Sequence, residues 1–484
     1  MERMSAPPNN PGNSISTNGH KNTVPPDNTP VQILDQWVTQ YRSTRKPVRV
    51  NFSTLTSDYY IKDKATHLLH FYPAKLLRQI PEFFIKALSL PGQIVFDPFS
   101  GSGTVPLEAL IAGRKPVASE INPLARLITQ VKTTPIPEDV LKEQESRLLR
   151  QIDLRRHSAS KLPRLLFFWH APAVLRQLSA IANTIKAWTP DCEAPYRDAV
   201  KNLFLLALSS IIRKKSLADP RVAPPVRLNP KKFRSNSRRH KHILQMLRAK
   251  RAPNSLRIFR EAINDAIKRV NALSEIVNGN ATPICFVGTD ARAILASAPE
   301  IDLIVTSPPY IAAQKYTRST SLELYWLGFF RNGTDRASLE HRVIGSEIPR
   351  LQRGQSCPRT GAPVVDRIVK CLWRKNRGRA KIVSNYFADM SLAIQQMNRV
   401  LRPGGHLVMV IGNNTVCGQS IPVSDILLDM CQVFGLEIKA VLVDKIRAYG
   451  FMTKRNHTAG IITREHILVM QKKASKSGVP NVQA

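Results

Sequence analysis

Two stretches of the sequence combine residue types that serve chemistry better than packing. The first, Phe96-Asp97-Pro98-Phe99-Ser100-Gly101-Ser102-Gly103-Thr104, sets a carboxylate and two glycines where an apolar run, QIVF, gives way to a helical one, VPLEALIAGR. The glycines let the backbone bend sharply and approach a ligand, and the free N–H groups of a helix start favour an anionic or polar group. Such turns are common after strands, so the acids carry the discrimination. Glu120 closes the next apolar run, KPVASE, about 20 residues on, where a carboxylate can accept both hydroxyls of a ribose. Asp97 would repel a pyrophosphate, and the GxGxxG spacing of NAD sites is missing. A carboxylate there matches the ammonium of an aminoacyl group, and S-adenosylmethionine is the expected cofactor. The second stretch is Ser307-Pro308-Pro309-Tyr310 at the end of DLIVT. Its prolines fix the backbone and remove two donors, so the carbonyls of Ser307 and Pro308 project as acceptors beside the ring of Tyr310. A flat heterocycle bearing an amino group would be held by such a platform.

Both stretches need strands that end where they begin. Ile80, Phe83, Phe84, Ala87 and Leu88 recur at helical spacing and predict a helix ahead of the first strand. QIVFDP, the Gly-rich turn, VPLEALIAGR and KPVASE then make a βαβ unit. From Glu138 to Asn280 the pattern is mainly helical, so a long insertion interrupts the alternation. Strand-like runs return at ICFVG, DLIVTS, HLVMVIG, IKAVLVD and HILVMQ, with a helical NYFADMSLAIQQMNRVL before the third of them. The fold class is α/β with a Rossmann-like sheet.

Charge points to the partner. The 484 residues carry 71 Lys and Arg against 35 Asp and Glu, a formal charge of +36, while 43% hydrophobic residues are enough to bury a core. Wholesale disorder is excluded, and a polyanion is the natural partner. The density peaks between Arg213 and Arg260, where 16 Lys and Arg face one acid, Asp219. A second basic, loop-rich stretch runs from Arg331 to Lys381. Six cysteines without a CxxC pair indicate neither a disulfide framework nor a zinc ribbon. His240, His242 and His341 have no accompanying ligand types, so no metal is expected. No apolar run approaches the roughly 20 residues of a membrane span, and Met1 to Asn28 lacks a signal-type segment, so a cytoplasmic protein is expected.

FDPFSGSGT, the acid in ASEINP and TSPPY together resemble the amino-methyltransferases of DNA, which methylate the exocyclic nitrogen of cytosine or adenine. HFYPAK, LRPGGHLVMVIGNN and EHILVM add to the likeness, which covers about residues 65 to 130 and 284 to 472. The resemblance implies a mixed seven-stranded sheet with the last strand antiparallel. It puts Asp97, Gly101 and Gly103 at the methionine part of the cofactor, Glu120 at its ribose and Asp290 at the adenine edge, with Pro98, Phe99, Thr104 and Asn122 also in the cofactor site. Tyr72, Pro73 and Lys75 join the cofactor side, and Ser307, Pro308, Pro309 and Tyr310 form the catalytic floor. The chain then divides into a disordered tail (1–30), the first part of the methyltransferase domain with the cofactor site (31–137) and a helical basic insertion as target-recognition region (138–280). The catalytic part (281–330), a basic loop-rich insertion (331–381), the end of the domain (382–473) and a tail (474–484) follow. The insertion sits between Glu120 and Asp290, whereas the commonest layouts of the family place recognition elsewhere, so its role rests on charge. Arg227, Lys231, Lys232, Arg238 and Arg239 are its candidate contacts to DNA.

The implied reaction is direct transfer to N4 of cytosine in duplex DNA, with N6 of adenine as the alternative, since serine before Pro-Pro-Tyr goes mostly with cytosine in the family. An amine donating to Ser307 and Pro308 is drawn toward tetrahedral geometry and needs no strong base. No Pro-Cys pair exists for covalent attack at C5. The target must be flipped out of the stack. A restriction endonuclease is a conceivable companion. An RNA methyltransferase would share the cofactor loop but usually has Asp or Asn where Ser307 stands, and a noncatalytic nucleic-acid-binding protein would explain the charge but not both intact motifs.

Overall fold

The computed structural model describes residues 29–55, 65–73, 75–155, 162–279, 281–311, 316–349, 351–352, 354–446 and 462–474. Most of the expected N-terminal tail lies outside this set, as does the C-terminal one beyond Ala474. Thr29 and Pro30 do not belong to a tail. Thr29 caps the helix Pro30–Thr44 in a reciprocal box with Gln32, so Thr29 and Pro30 both belong to a helix.

Ten strands are present among the described residues: β1 (Val48–Val50), β2 (Ile94–Asp97), β3 (Lys115–Ala118), β4 (Cys285–Phe286), β5 (Ile301–Thr306), β6 (Leu401–Ile411), β7 (Asn414–Val416), β8 (Gln419–Ile421), β9 (Leu436–Lys445) and β10 (Arg464–Lys472). Eight form one sheet in the order β1-β9-β10-β6-β5-β2-β3-β4. Only β10 runs antiparallel, to both β9 and β6. Seven of these strands are the expected ones. The eighth, β1, adds to the edge through Val48↔Leu442 and Val50↔Asp444, and at three residues it is too short for periodicity to reveal. The β7–β8 hairpin also escaped notice. Its turn is Cys417-Gly418, both at positive φ (50° and 74°), and cysteine is not a residue that advertises such a turn.

The central strands are buried on both faces, as parallel strands between helices must be. Val95, Val305 and Val408 point to one side, where Ile80, Phe83 and Phe84 of the helix Gln79–Leu88 pack. Phe96, Ile304 and Met409 point to the other, against Phe387, Met390 and Ile394 of the helix Arg377–Val400. The segment 138–280 contributes long helices, Pro172–Ala187, Ala194–Lys215, Arg238–Arg251 and Ser255–Val277 among them. Leu203, Phe204 and Phe259 share a core with Leu124 and Ile128 of the helix Pro123–Lys132 and with Trp326 of the helix Ser321–Leu327. The segment is therefore welded to elements that follow both chemical stretches. The stretch 331–381 is less loop-rich than expected, because helices Gly333–Arg342 and Pro363–Lys375 occupy much of it. No helix among the described residues is long and apolar enough to cross a membrane.

At the edge remote from the chemical stretches, Asp302 ties three strands. Its carboxylate accepts from the Ile94 amide at 2.8 Å and from Arg402 Nε at 2.6 Å. Gly405 passes close by, where a Cβ would lie 2.9 Å from the Arg402 carbonyl oxygen and 3.0 Å from that of Asp302. Backbone atoms cannot yield as side chains do. Gly405→Ala should lower unfolding free energy by about 1–3 kcal/mol, read as a reduced urea midpoint at unchanged slope.

Candidate active site

Parallel pairing brings the ends of β2, β3 and β5 to one edge of the sheet. Phe96 lies opposite Ile304, so Asp97 and Thr306 leave their strands side by side. The Thr306 hydroxyl donates to Asp97 Oδ1 at 2.6 Å, and the Phe99 amide donates to the same oxygen at 3.0 Å. Oδ2 has no hydrogen bond among the described residues. Burial pushes the Asp97 carboxyl up to about 7, against the lowering effect of those two bonds. The two stretches singled out from sequence are thus joined by one hydroxyl.

The Gly-rich loop is clamped from the opposite side. Glu120 accepts the Gly101 amide at 2.8 Å on Oε2 and the Asn122 amide at 2.7 Å on Oε1. Burial pushes this carboxyl also up to about 7 despite those donors, and each oxygen keeps acceptor capacity. Thr129 donates to the Gly101 carbonyl at 3.1 Å and Lys132 Nζ to that of Ser102 at 2.9 Å. Gly103, at φ 75°, starts the helix Thr104–Ile111, and a Cβ there would sit 2.8 Å from Thr129 Oγ1. Only glycine fits that approach. Asn122 caps the helix Pro123–Lys132 and extends its amide to the Tyr72 hydroxyl at 3.2 Å and Thr320 Oγ1 at 3.3 Å.

Tyr72 and Pro73 are buried beside the loop, and a Cβ on Gly101 would be 3.9 Å from the Tyr72 ring. Lys75 instead donates to the carbonyls of His67 and His70, both at 3.0 Å, curling its own segment. The buried hydroxyls of Ser100 and Ser119 find no partner among the described residues. An uncommitted carboxylate oxygen, two desolvated acids and orphan hydroxyls suit a cationic ligand rich in hydroxyl and amine groups, so this donor set fits the aminoacyl and ribose parts of S-adenosylmethionine.

On β5's side, Ser307, Pro309 and Tyr310 are half-buried and Pro308 is buried. The Tyr310 hydroxyl donates to Glu465 Oε1 on β10 at 3.0 Å, and burial pushes the Glu465 carboxyl above its ordinary range. Gly412 admits the ring, since a Cβ there would stand 3.1 Å from Tyr310 Cε2. Asn414 Nδ2 donates to the Ile311 carbonyl at 2.6 Å, and Gly345 passes beneath the Tyr310 carbonyl. Glu465 and Asn414 lay within the quoted runs EHILVM and IGNN but gave no sign of this role, because their partners are over a hundred residues away.

Asp290 follows β4 on the same edge, yet Arg292 occupies both of its oxygens, Nε at 2.9 Å and Nη2 at 2.6 Å. Burial would raise this carboxyl, but the Arg292 bonds outweigh it and hold it below the usual range. Arg292 also reaches Asp389 at 2.7 Å and the Arg342 carbonyl at 2.7 Å. No sequence signal marked it. Arg227, Lys231, Lys232, Arg238 and Arg239 are exposed, Arg227 with its guanidinium 4.5 Å from the centre of the Phe168 ring. Other cations of that run are spent internally. Lys215 Nζ donates to the carbonyl of Ala252 and to Asn254, and Lys250 Nζ to that of Lys214, so each caps the other's helix end.

The model of the DNA methylase family matches residues 10–130. The Type II methyltransferase M.MvaI of Kocuria varians is 24% identical over 451 residues, covering 85% of this chain and 92% of its own. M.AvaI of Nostoc sp., also a Type II methyltransferase, is 24% identical over 386 residues, 72% of this chain and 74% of its own. Among solved structures, the rRNA methyltransferase AviRa of Streptomyces viridochromogenes aligns over 87% of this chain and 96% of its own at 11% identity, with a TM-score of 0.30.

The folded-state values of Asp97 and Glu120 lie above the ordinary carboxyl range near 4, so the native chain holds extra protons between about pH 4 and 7. Each group therefore subtracts stability as pH rises through that window. Thr306→Val removes the donor that favours ionised Asp97. It should cost about 1–2 kcal/mol at pH 8 and less at pH 5, where Asp97 is neutral in the folded chain, by urea denaturation at both values.

Proposed function

We propose, from the premise that the chain belongs to the DNA methylase family and is an S-adenosylmethionine-dependent DNA methyltransferase, that it methylates N4 of cytosine in duplex DNA. The observation that carries this reading is the 2.6 Å bond from Thr306 to Asp97, which sets the cofactor loop and the Ser-Pro-Pro-Tyr floor against each other at one sheet edge. A donor and an acceptor of a methyl group held by those two stretches would be neighbours, as direct transfer requires.

In this mechanism Asp97 receives the aminoacyl ammonium and Glu120 the ribose hydroxyls, with Tyr72, Pro73, Pro98, Phe99, Gly101, Gly103, Thr104 and Asn122 shaping the walls. Lys75 acts through its segment. Asp290 contributes to the adenine edge only as far as its pairing with Arg292 leaves its oxygens accessible. When bound, the cofactor supplies an electrophilic methyl on a sulfonium. The Ser307 hydroxyl oxygen and the Pro308 carbonyl accept from the target amine and aim its lone pair, and Tyr310, fixed through Glu465, stacks on the flipped base. As the nitrogen–methyl bond formed, the methyl–sulfonium bond would break to leave a thioether, and the transiently cationic nitrogen would then release its proton past the Ser307 hydroxyl to water, so no strong base is needed. Serine at 307 supports cytosine over adenine by the family's habit.

The exposed Arg227, Lys231, Lys232, Arg238 and Arg239 serve the duplex backbone. Arg238 and Arg239 stand in the first turn of their helix, which carries no acid, and cations at that positive end are unfavourable until a phosphate joins them. The Type II relatives support a restriction–modification setting in the cytoplasm, with an endonuclease of the same specificity as a companion.

Two measurements test this reading. Binding of S-adenosylmethionine, followed by calorimetry, should weaken as pH falls from 8 to 6, approaching about tenfold per pH unit below 7, because Asp97 must be ionised to receive the ammonium. Asp97→Asn should bind more weakly and lose most of that dependence. A pH-independent affinity in the unaltered chain would remove Asp97 from the cofactor. Mass spectrometry of digested product DNA should reveal N4-methylcytosine, and Tyr310→Ala should lose most turnover while cofactor affinity survives, since a stacking contact is worth roughly 1–3 kcal/mol. N6-methyladenine would reassign the base, and 5-methylcytosine would exclude direct amine transfer.

A further inference from the structure

The basic stretch between Arg359 and Lys381 has no part in the site described above. It contains one acid, Asp366, whose carboxylate is consumed locally by the amide and hydroxyl of Thr360 at 2.6 and 2.7 Å. The helix Pro363–Lys375 within it has a divided surface. Val365, Ile368, Val369 and Leu372 are buried in the same core as Ile311, Ile344 and Tyr386, with Tyr310 packed against its edge. Arg367, Lys370 and Arg374 recur at i, i+3 and i+7 and are exposed, flanked by Arg359, Lys375 and Arg377. None of these six forms an ion pair among the described residues. Arg377 lies over the half-buried ring of Trp373 at 5.5 Å.

The helix is held rigidly relative to the catalytic floor. It packs against β8, whose hairpin partner β7 supplies Asn414 to the Ile311 carbonyl. Ile344 shares the helix's core, and its neighbour Gly345 lies against Tyr310 and Pro309. Apart from Asp366, whose carboxylate is taken up by Thr360, this row of like charges has no acid in its stretch and repels itself, and a polyanion offsets that repulsion. From Arg367 to Arg374 the helix rises about 10 Å. One DNA strand presents about three phosphates over that rise.

We infer that the outer face of the helix Pro363–Lys375 is a second duplex-binding surface, separate from the Arg227–Arg239 region, that takes the phosphate backbone through Arg367, Lys370 and Arg374. The inference rests on the reading of the chain as a DNA methyltransferase. Phosphate is favoured over an acidic protein because the stripe is carried on the framework that positions the base-contacting floor, where the substrate's own charge must arrive.

The test is the triple variant R367E/K370E/R374E in the full chain, with R367Q/K370Q/R374Q as a milder partner, assayed on a labelled duplex across a salt series. The altered side chains are all on the solvent face, so S-adenosylmethionine affinity serves as the check on folding and should not change. Duplex affinity at 0.1 M salt should fall at least tenfold, and the log–log salt slope should become shallower by about 2 to 3 in the reversal variant, with the glutamine variant between. If the unaltered chain binds and methylates duplex DNA but both variants keep its affinity and slope, the inference is overturned and the enzymatic reading stands. A solvated face or an acidic protein partner would give that result. If the unaltered chain neither binds nor methylates duplex DNA, both fall together.

Discussion

The candidate site depends on the hydrogen bond from Thr306 to Asp97. Two strand ends that carry different parts of a reaction must stop at the same height, and parallel pairing of β2 with β5 brings them near without setting the last residues. The hydroxyl completes that step at 2.6 Å. It also helps hold a buried carboxyl that desolvation alone would keep neutral, so one contact serves register and charge together. Around it the clamps repeat the logic, with Glu120 on the Gly101 amide, Thr129 and Lys132 on loop carbonyls, and Asn122 reaching to Tyr72. Nearly every polar group that shapes the loop is a side chain from a later element. The loop is therefore a product of the assembled sheet rather than of its own glycines.

Desolvation is the common electrostatic theme. Asp97 and Glu120 are both raised to about 7, and among the described residues neither has a cationic side chain in hydrogen-bond contact. A stability-optimised protein would have paired them with arginine, as Asp290 is paired with Arg292. Leaving two acids unneutralised in a buried cleft keeps their acceptor capacity available to a ligand. The cationic surface shows the converse. Lys215 and Lys250 are buried and hold helix ends, whereas Lys231, Lys232, Arg238, Arg239, Arg367, Lys370 and Arg374 are exposed and form no ion pair among the described residues. Net charge alone merges these two populations.

The βαβ unit and the two chemical stretches were legible because each depends on local order: an apolar run, a turn that needs glycine, a helix that starts at once. The α/β class followed from the same alternation. What stayed hidden depends on distance or brevity. Strand β1 is three residues long, and the Cys417-Gly418 turn uses an uncharacteristic residue. Glu465 meets Tyr310 across 155 positions, and Arg292 takes the carboxylate of Asp290 through a choice of rotamer that no pattern encodes. The helix Pro363–Lys375 falls in a stretch that reads as loop-rich, because Gly361 precedes it, Pro363 opens it and five Lys and Arg lie from Arg367 to Arg377. Its apolar stripe, Val365, Ile368, Val369 and Leu372, was the overlooked signal.

Strand β10 lies between β9 and β6 although it follows both in the chain. Until it is made, the sheet exists as two pieces, with β6 through β4 on one side and β1 with β9 on the other. The Tyr310 hydroxyl lacks its Glu465 acceptor in that interval, because Glu465 belongs to the missing strand. A nascent chain with every residue of both chemical stretches already synthesised thus lacks the architecture that aligns them. The one antiparallel strand joins the two pieces of the sheet and also carries the acceptor for the aromatic floor, so sheet closure and the Tyr310–Glu465 bond share one element.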